Sequence, residues 1–340
     1  MVRALLFGDT HLGFDLVAHP RVERRRRGLD FQANYERVVA HALWSQPDLV
    51  IHSGDVFDRP EPRDGLVDDA FRPLWALAEA GIEVVVLAGN HERGRLPRPL
   101  FAAHPRIHVV DDPTCLRLRL AGVEVAVGAF PYVRHVRDAF PAQVAATGLL
   151  TTPADVRILV VHHCVEGAAV GHSGGGRDFV FTHNDDVIRG AEIPTGIAAL
   201  LSGHIHRHQR LSHDLAGRPL AAPMLYAGSV ERTSFSEALE TKGFLELDFA
   251  PGDHGGHLAA HRFLPLPTRP MVREVLGDGL KPELRRAAEA VLAEAPADAI
   301  VELYVPGPRL SAFDMAWQRA VVPPTMNLEI KPLRPRTERA

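Results

Sequence analysis

Residues 203–206 read Gly-His-Ile-His, and they complete a series of polar fragments that each follow an apolar, β-branched run. The four earlier fragments are Asp9-Thr10-His11, Gly54-Asp55-Val56-Phe57-Asp58, Gly89-Asn90-His91-Glu92 and His162-His163. Each fragment offers oxygen or imidazole ligands at a point where a buried strand is expected to end. Five such fragments in order indicate a metal site assembled from the ends of several strands.

The first third of the chain alternates apolar runs with amphipathic segments. Strands are expected at residues 3–8, 49–52 and 82–87, and helices at residues 31–44 and 66–80. This rhythm predicts an α/β fold whose site lies at the carboxyl ends of the strands. After residue 107 the expected strands are shorter, which predicts a second or mixed sheet. They lie at residues 108–110, 115–120, 123–129, 157–161, 198–201, 224–227 and 243–249.

Three parts are expected along the chain. Residues 1–265 would form the main domain with the ligand fragments, and residues 266–330 a small α+β cap with a strand–helix–strand order. A proline-rich stretch at residues 265–270 looks like the linker between them. Residues 331–340 carry four basic side chains against one Glu and are expected to form a basic tail.

Composition restricts the class of protein. The net charge of −4 removes any global attraction to a polyanion, so nucleic-acid binding would have to be local or metal-assisted. Two cysteines make no disulfide framework, which favours the reducing cytoplasm. No apolar run approaches the roughly 20 residues that a bilayer crossing needs, and the N-terminus does not resemble a signal peptide. A membrane partner is therefore not expected.

The spacing of the ligands suits two metal ions. A pair of divalent ions about 3.5–4 Å apart needs a bridging ligand, and Asp55 is the natural bridge because Gly54 leaves room for close approach. Asp9 and His11, two residues apart, can chelate one ion if their segment is extended. The remaining candidates are Asn90, His204, His206 and either His162 or His163. Mixed nitrogen and oxygen ligands favour manganese, iron or zinc over calcium.

A reaction follows from such a site. A water shared by the two ions would lose a proton, and the resulting bridging hydroxide would attack a phosphorus atom in line. His91 is the candidate general acid for the leaving oxygen. Asp58 could orient His91 or a metal ligand, and Glu92 has a similar but weaker claim.

Two sets of arginines are candidate DNA contacts. The run Arg24-Arg25-Arg26-Arg27 could bind phosphates or could form a solvated face, and the two interpretations are equally supported. Arg232, in the stretch that follows the strand at residues 224–227, could shape a DNA-facing surface or close the sheet.

The ordered set of fragments resembles the calcineurin-like metallophosphoesterase superfamily, and within it the SbcD-type DNA repair nucleases. Residues 8–14, 226–235 and 267–271 carry the closer likeness. The resemblance implies a four-layer α/β/β/α sandwich of two mixed sheets, with His91 assisting the leaving group. It implies the metal ligands Asp9, His11, Asp55, Asn90, His162, His204 and His206. The family often has Gln after the strand-end histidine; His163 stands there in this chain, so His162 is assigned as the ligand.

The resemblance also implies a function and partners. The expected activity is that of a manganese-dependent DNA exonuclease or endonuclease of DNA repair, with iron, zinc or magnesium as alternative metals. The alternatives are a metallophosphoesterase acting on nucleotides or other small phosphoesters, and a non-enzymatic binding module. DNA, an SbcC-like coiled-coil ATPase and a second copy of the chain are the expected partners, although the short cap counts against the ATPase. Archaeal relatives carry a histidine where this chain has Asp58, whereas bacterial relatives resemble it there.

Overall fold

A computed structural model describes residues 1–15, 24–99, 103–171 and 178–333, apart from the side chain of residue 64. The helices are α1 (Gly28–Ser45), α2 (Asp64–Glu79), α3 (Val136–Thr147), α4 (Lys281–Glu294) and α5 (Met315–Val321). The strands are β1 (Val2–Phe7), β2 (Leu49–His52), β3 (Glu83–Leu87), β4 (Ile107–Val110), β5 (Thr114–Leu120), β6 (Val123–Ala129), β7 (Val156–Val161), β8 (Cys164–Val165), β9 (Ala169–Val170), β10 (Phe179–Val180), β11 (Val187–Ile188), β12 (Ala199–Ser202), β13 (Gln209–His213), β14 (Pro219–Tyr226), β15 (Gly243–Ala250), β16 (His257–Pro265), β17 (Met271–Val275), β18 (Ile300–Pro306) and β19 (Asn327–Leu333).

The chain folds into two units, each drawn from two segments of the sequence. The large unit comprises Met1–Phe14 and Asp30–Pro267, and the small unit comprises Asp15–Leu29 and Thr268–Ala340. The domain boundaries expected from the sequence stay a prediction. Residues 334–340 of the expected tail lie outside the described residues.

Two six-stranded mixed sheets form the large unit. The first has the order β16-β15-β1-β2-β3-β4, and the second has the order β13-β14-β12-β7-β6-β5. In each sheet four neighbouring strands are parallel, namely β1 to β4 in the first and β14, β12, β7 and β6 in the second. The strands beyond them pair antiparallel. The parallel strands of each sheet therefore end at a common edge, where loops can bring polar side chains together.

Three apolar cores separate four layers. Phe71 of α2 packs in one core with Val84 of β3, on the outer face of the first sheet. Leu6 of β1 and Leu201 of β12 belong to the core between the two sheets. Phe140 of α3 belongs to the third core, on the outer face of the second sheet. The α/β/β/α sandwich implied by the sequence is confirmed.

The small unit is built on a parallel three-stranded sheet, β17-β18-β19. Its core includes Leu284 of α4, Val301 of β18 and Trp317 of α5. The buried guanidinium of Arg269 donates hydrogen bonds to backbone carbonyls and to Oδ1 of Asn327 at 2.7 Å, which satisfies these N–H donors inside the unit. Among the helices of the described residues, none has both the length and the apolar character that a bilayer crossing would demand.

The strands that the sequence predicted are present, but several elements were not predicted, among them β13, β16 and α3. The edge strands β13 and β16 have mostly exposed or half-buried side chains, so they lack the apolar runs that reveal buried strands. The helix α3 was missed as well. It contains Pro141 in its first turns, and the residue before it, His135, makes no side-chain cap. These three elements lie at the edges or on the outer face of the sheets.

The core between the sheets provides a stability test. We expect Leu201→Ala, which empties part of that core, to lower the free energy of unfolding by about 2–5 kcal/mol. The matched control is Leu239→Ala, because the side chain of Leu239 is fully exposed and should change stability by less than about 0.5 kcal/mol. Urea unfolding monitored by circular dichroism measures both. Equal effects of the two variants would contradict the assigned packing.

Candidate metal centre

All the candidate metal ligands follow parallel strands of the large unit. Three strands of the first sheet and two of the second contribute, so the residues meet at the edge where both sheets end. The strand β1 leads to Asp9 and His11, β2 to Asp55, β3 to Asn90, β7 to His162, and β12 to His204 and His206. All seven were predicted from the sequence, and the structure brings them together. Their role as ligands stays a prediction.

Backbone hydrogen bonds hold the first two loops side by side. The N–H of Asp9 donates to the carbonyl of Gly54 at 2.9 Å, and the N–H of His11 donates to the carbonyl of Asp55 at 3.1 Å. Asp9, His11 and Asp55 have positive φ angles of 50°, 41° and 54°. The sequence-based reason for pairing Asp9 with His11, an extended segment, was therefore wrong. A left-handed backbone, which costs about 1–3 kcal/mol at such residues, aims both side chains into the cluster.

One group of side chains surrounds Asp55. Its Oδ2 atom lies 3.3 Å from Nε2 of His162 and 4.0 Å from Nε2 of His11. The Oδ1 atom of Asn90 lies 3.0 Å from the same His162 nitrogen and 2.8 Å from Nδ1 of His204. Asp55 thus stands between two imidazoles, as a bridging carboxylate would.

A second group joins Asp9, His11 and His206. The Nε2 atoms of the two histidines lie 3.0 Å apart. The Oδ1 atom of Asp9 lies 3.9 Å from Nε2 of His206. Oδ2 of Asp9 and Nδ1 of His11 are buried without a hydrogen-bond partner in the described part of the chain. Such orphaned polar atoms cost about 1–3 kcal/mol each unless something compensates them.

Burial and mutual charge shift the pKa values of the cluster. Burial raises the pKa of Asp9, although His206 and His162 oppose the shift. Burial would also raise the pKa of Asp55, but the charge of His162 outweighs it and holds that pKa well below its usual range. Asp55 in turn raises the pKa of His162 to about 9 against the effect of burial. Burial, and then His162, lower the pKa of His204 to about 3.

The donor set fits divalent cations. One ligand atom each from Asp9, His11 and His206 lies within 4.8 Å of the others, and the same holds for Asp9, Asp55 and His162. The two groups share Asp9, while Asp55 Oδ2 lies between His11 and His162. Imidazole and carboxylate donors suit manganese, iron or zinc. A cation would compensate the orphaned Oδ2 of Asp9, and it would compete with protons for the imidazole nitrogens, so its binding should release protons.

His91 lies beside this cluster and is partly exposed. Its Nδ1 donates to the backbone carbonyl of Asp58 at 2.8 Å, and its Nε2 lies 3.9 Å from Asp55 Oδ2. Asp58 therefore contacts His91 through its backbone, whereas its carboxylate lies 3.9 Å from Nδ1 of His11. Glu92 accepts N–H bonds from Phe57 at 2.7 Å and from Gly89 at 2.8 Å, which joins the second and third loops.

The remaining predicted residues have other contacts. His163 accepts the N–H of Val133 at 3.3 Å and stacks on Tyr132, so the geometry favours His162 as the ligand. The guanidinium of Arg232 donates twice to the carbonyl of Glu240 and so closes its own loop. The run Arg24–Arg27 belongs to the small unit, where the carbonyl of Arg25 accepts a hydrogen bond. DNA contacts by these arginines stay a prediction.

Sequence reasoning missed a buried charged network behind His206. The Nδ1 atom of His206 lies 3.2 Å from Oε1 of Glu237, and the Nζ of Lys242 lies 2.6 Å from Oε2 of the same carboxylate. The side chains of Glu237 and Lys242 are almost fully buried. In the sequence, charges spaced like these are typical of a solvated turn, so no local signal indicated them.

Comparisons with known proteins agree with this geometry. The sequence model of calcineurin-like phosphoesterases matches residues 2–208. A DNA double-strand break repair protein Mre11 from Haloferax volcanii is 42% identical over 97 residues, which are 28% of this chain and 20% of that protein. A protein of the same name from Methanopyrus kandleri is 26% identical over 302 residues, covering 82% of this chain and 60% of that protein. The chain thus spans less than two thirds of either relative.

One solved structure is also similar. A dimetal phosphatase from Danio rerio is 11% identical, with a TM-score of 0.41, and the match covers 72% of this chain and 92% of that one.

Gly54 provides a test of how tightly the cluster is packed. A Cβ atom at Gly54 would lie 2.3 Å from Nδ1 of His162, so Gly54→Ala must displace that ring. We expect manganese binding to weaken roughly tenfold or more, measured by isothermal titration calorimetry. Gly81→Ala is the matched control, because Gly81 also has a positive φ but open space around it. The assigned ring position is contradicted if both variants bind metal like the wild type.

Proposed function

The chain belongs to the calcineurin-like phosphoesterase family, and from that premise we propose that it is a metal-dependent DNA nuclease of DNA repair. It would act as an exonuclease or endonuclease on phosphodiester bonds. The observation that carries the proposal is the convergence of Asp9, Asp55 and five further nitrogen and oxygen ligands where the parallel strands of the two mixed sheets end. The DNA substrate is supported by the names of the relatives, which are DNA double-strand break repair proteins.

We assign two divalent ions to this cluster, with manganese expected and iron, zinc or magnesium as alternatives. The seven ligands are Asp9, His11, Asp55, Asn90, His162, His204 and His206. Bound there, the ions would polarise the phosphate oxygens and make a water molecule acidic enough to act as the nucleophile. The Nδ1 of His162 donates to the carbonyl of Ser53 at 2.7 Å, which leaves its Nε2 directed at the cluster. The ring is therefore oriented before any ligand arrives.

His91 is the residue that we assign to proton transfer. Its Nδ1 is fixed by the carbonyl of Asp58, so Nε2 is the atom that faces the Asp55 side of the cluster. As an imidazolium, His91 could donate the Nε2 proton to the leaving oxygen of the substrate. Partial exposure of the side chain leaves room for a substrate to reach that atom.

The same proposal includes the binding partners that were expected from the sequence. DNA would be held by Arg24–Arg27, where burial lowers the pKa of Arg24 and crowding by the positive charge of Arg26 adds to that shift. Such crowding is relieved when phosphates bind. An SbcC-like ATPase, a homodimer and a cytoplasmic location stay predictions.

The first test concerns the chemistry. With manganese, the wild-type protein should cleave end-labelled linear duplex or single-stranded DNA and hydrolyse bis-p-nitrophenyl phosphate. Asp55→Ala should abolish both activities. His91→Ala should lower DNA cleavage by about 10²–10⁴-fold but affect the small diester much less, because p-nitrophenolate leaves without being protonated.

The control for His91 is His257→Ala, which removes an exposed imidazole at the start of β16 and should leave both activities intact. Hydrolysis of the small diester without DNA cleavage would instead favour a phosphodiesterase for nucleotides. Equal losses on both substrates in His91→Ala would contradict the role of a general acid.

The second test concerns the arginines. The double variant Arg24→Ala/Arg25→Ala should weaken DNA binding and reduce the slope of log affinity against log salt by about 0.9 per lost phosphate contact. Arg117→Ala/Arg119→Ala removes two exposed arginines of β5 and is the charge-matched control. Fluorescence anisotropy over a salt series measures both. An unchanged slope in the first variant would show that these arginines do not contact phosphates.

A further inference from the structure

A buried ionic network lies directly behind His206. Lys242 Nζ, which has no exposed surface, lies 2.6 Å from Glu237 Oε2 and 2.8 Å from Glu240 Oε2. The same ammonium group donates to the backbone carbonyl of His206 at 2.8 Å. Charges buried in this way are costly, and ion pairs seldom repay the cost through stability alone. The network is therefore weak evidence of stabilisation, and its contacts with His206 connect it to the candidate metal centre.

Hydrogen-bond directions around Glu237 decide which nitrogen of His206 carries a proton. The hydroxyl of Thr233 donates to Glu237 Oε1 at 2.5 Å, and the Nδ1 atom of His206 lies 3.2 Å from that oxygen. Because an ionised carboxylate can only accept, Nδ1 must be the donor. In the neutral ring the lone pair is then on Nε2, the atom that faces His11 and Asp9.

One network thus fixes both the ring and the backbone of His206. The ring of His206 is held through Glu237, and its backbone is held through Lys242. Lys242 also neutralises Glu237 and keeps its second oxygen occupied. A carboxylate behind a ligating histidine fixes the tautomer and raises the basicity of the ligand, and loss of such a partner typically costs tenfold to a hundredfold in metal affinity.

We propose that Glu237, held in place by Lys242, is a positioning residue that directs the lone pair of His206 Nε2 into the cation site shared with Asp9 and His11. This inference rests on the proposed metal-dependent function. It assigns to the stretch after β14 a part in metal binding. The site around Asp55, His162 and His204 has no contact with Glu237 among the described hydrogen bonds, so only one of the two ions should depend on it.

Metal binding by the full chain is the test. Calorimetric titration of metal-free protein with manganese should resolve two sites in the wild type. Glu237→Gln keeps the size of the side chain but removes its charge, and it should weaken one site by about tenfold while the other stays unchanged. Glu240→Gln is the matched control. It removes the other carboxylate that pairs with Lys242, and that carboxylate does not contact the ring of His206. It should bind both ions like the wild type.

A double-mutant cycle separates positioning from a general structural effect. In a His206→Ala background, Glu237→Gln should cause no further loss of affinity, because the path through the ring is already gone. An equal loss in both backgrounds would overturn the proposal, as would equal effects of Glu237→Gln and Glu240→Gln. Neither readout uses DNA. Two-site binding with the predicted losses but no cleavage would therefore overturn the proposed function and leave the positioning role standing.

A second measurement reports directly on the wild-type protein. Long-range ¹H–¹⁵N correlation spectra of the metal-free wild type, with ¹⁵N-labelled histidine, report which ring nitrogen carries the proton. His206→Ala identifies the signal by its disappearance. We expect His206 to be protonated at Nδ1 and unprotonated at Nε2, and the opposite tautomer would overturn the proposal.

Discussion

Burial of two carboxylates, Asp9 and Asp55, among imidazole rings is the constraint on which the rest of this molecule depends. A carboxylate inside a protein costs several kcal/mol unless charges and hydrogen bonds compensate it. Asp55 is compensated by His162, whereas Oδ2 of Asp9 is buried without a hydrogen-bond donor among the described residues. The two sheets supply the rigid framework that keeps these groups together despite the cost, and a bound cation is the compensation that the donor atoms fit.

The backbone also carries strain at this edge of the sheets. Asp9, His11, Asp55 and His204 all adopt positive φ angles, which residues other than glycine rarely do. The loops tolerate this because backbone hydrogen bonds tie them to one another and because each follows a strand buried in the apolar cores. Asp15, Gln46, Arg93, Ala121 and His135 also have positive φ angles, but only the four at the cluster place candidate ligands, as a preorganised site requires.

The sequence predicted most of the framework because the central strands are continuous apolar runs that end in ligand residues. It failed for β13 and β16, whose exposed edge positions carry no such pattern, and for α3, whose Pro141 argues against a helix. The ligands were identified by residue type and order. Their geometry was not, since the left-handed backbone at Asp9 and His11 depends on hydrogen bonds to the distant loop that contains Gly54 and Asp55.

Three of the rings that face the cluster are fixed from behind, and the acceptors differ in charge. His162 donates through Nδ1 to the carbonyl of Ser53, and His91 donates to the carbonyl of Asp58, whereas His206 faces the carboxylate of Glu237. A carboxylate polarises an imidazole more than a neutral carbonyl does, so Glu237 increases the electron density on Nε2 of His206. This asymmetry arises from Glu237, which lies 31 positions after His206 in the sequence. Only the folded structure reveals their contact.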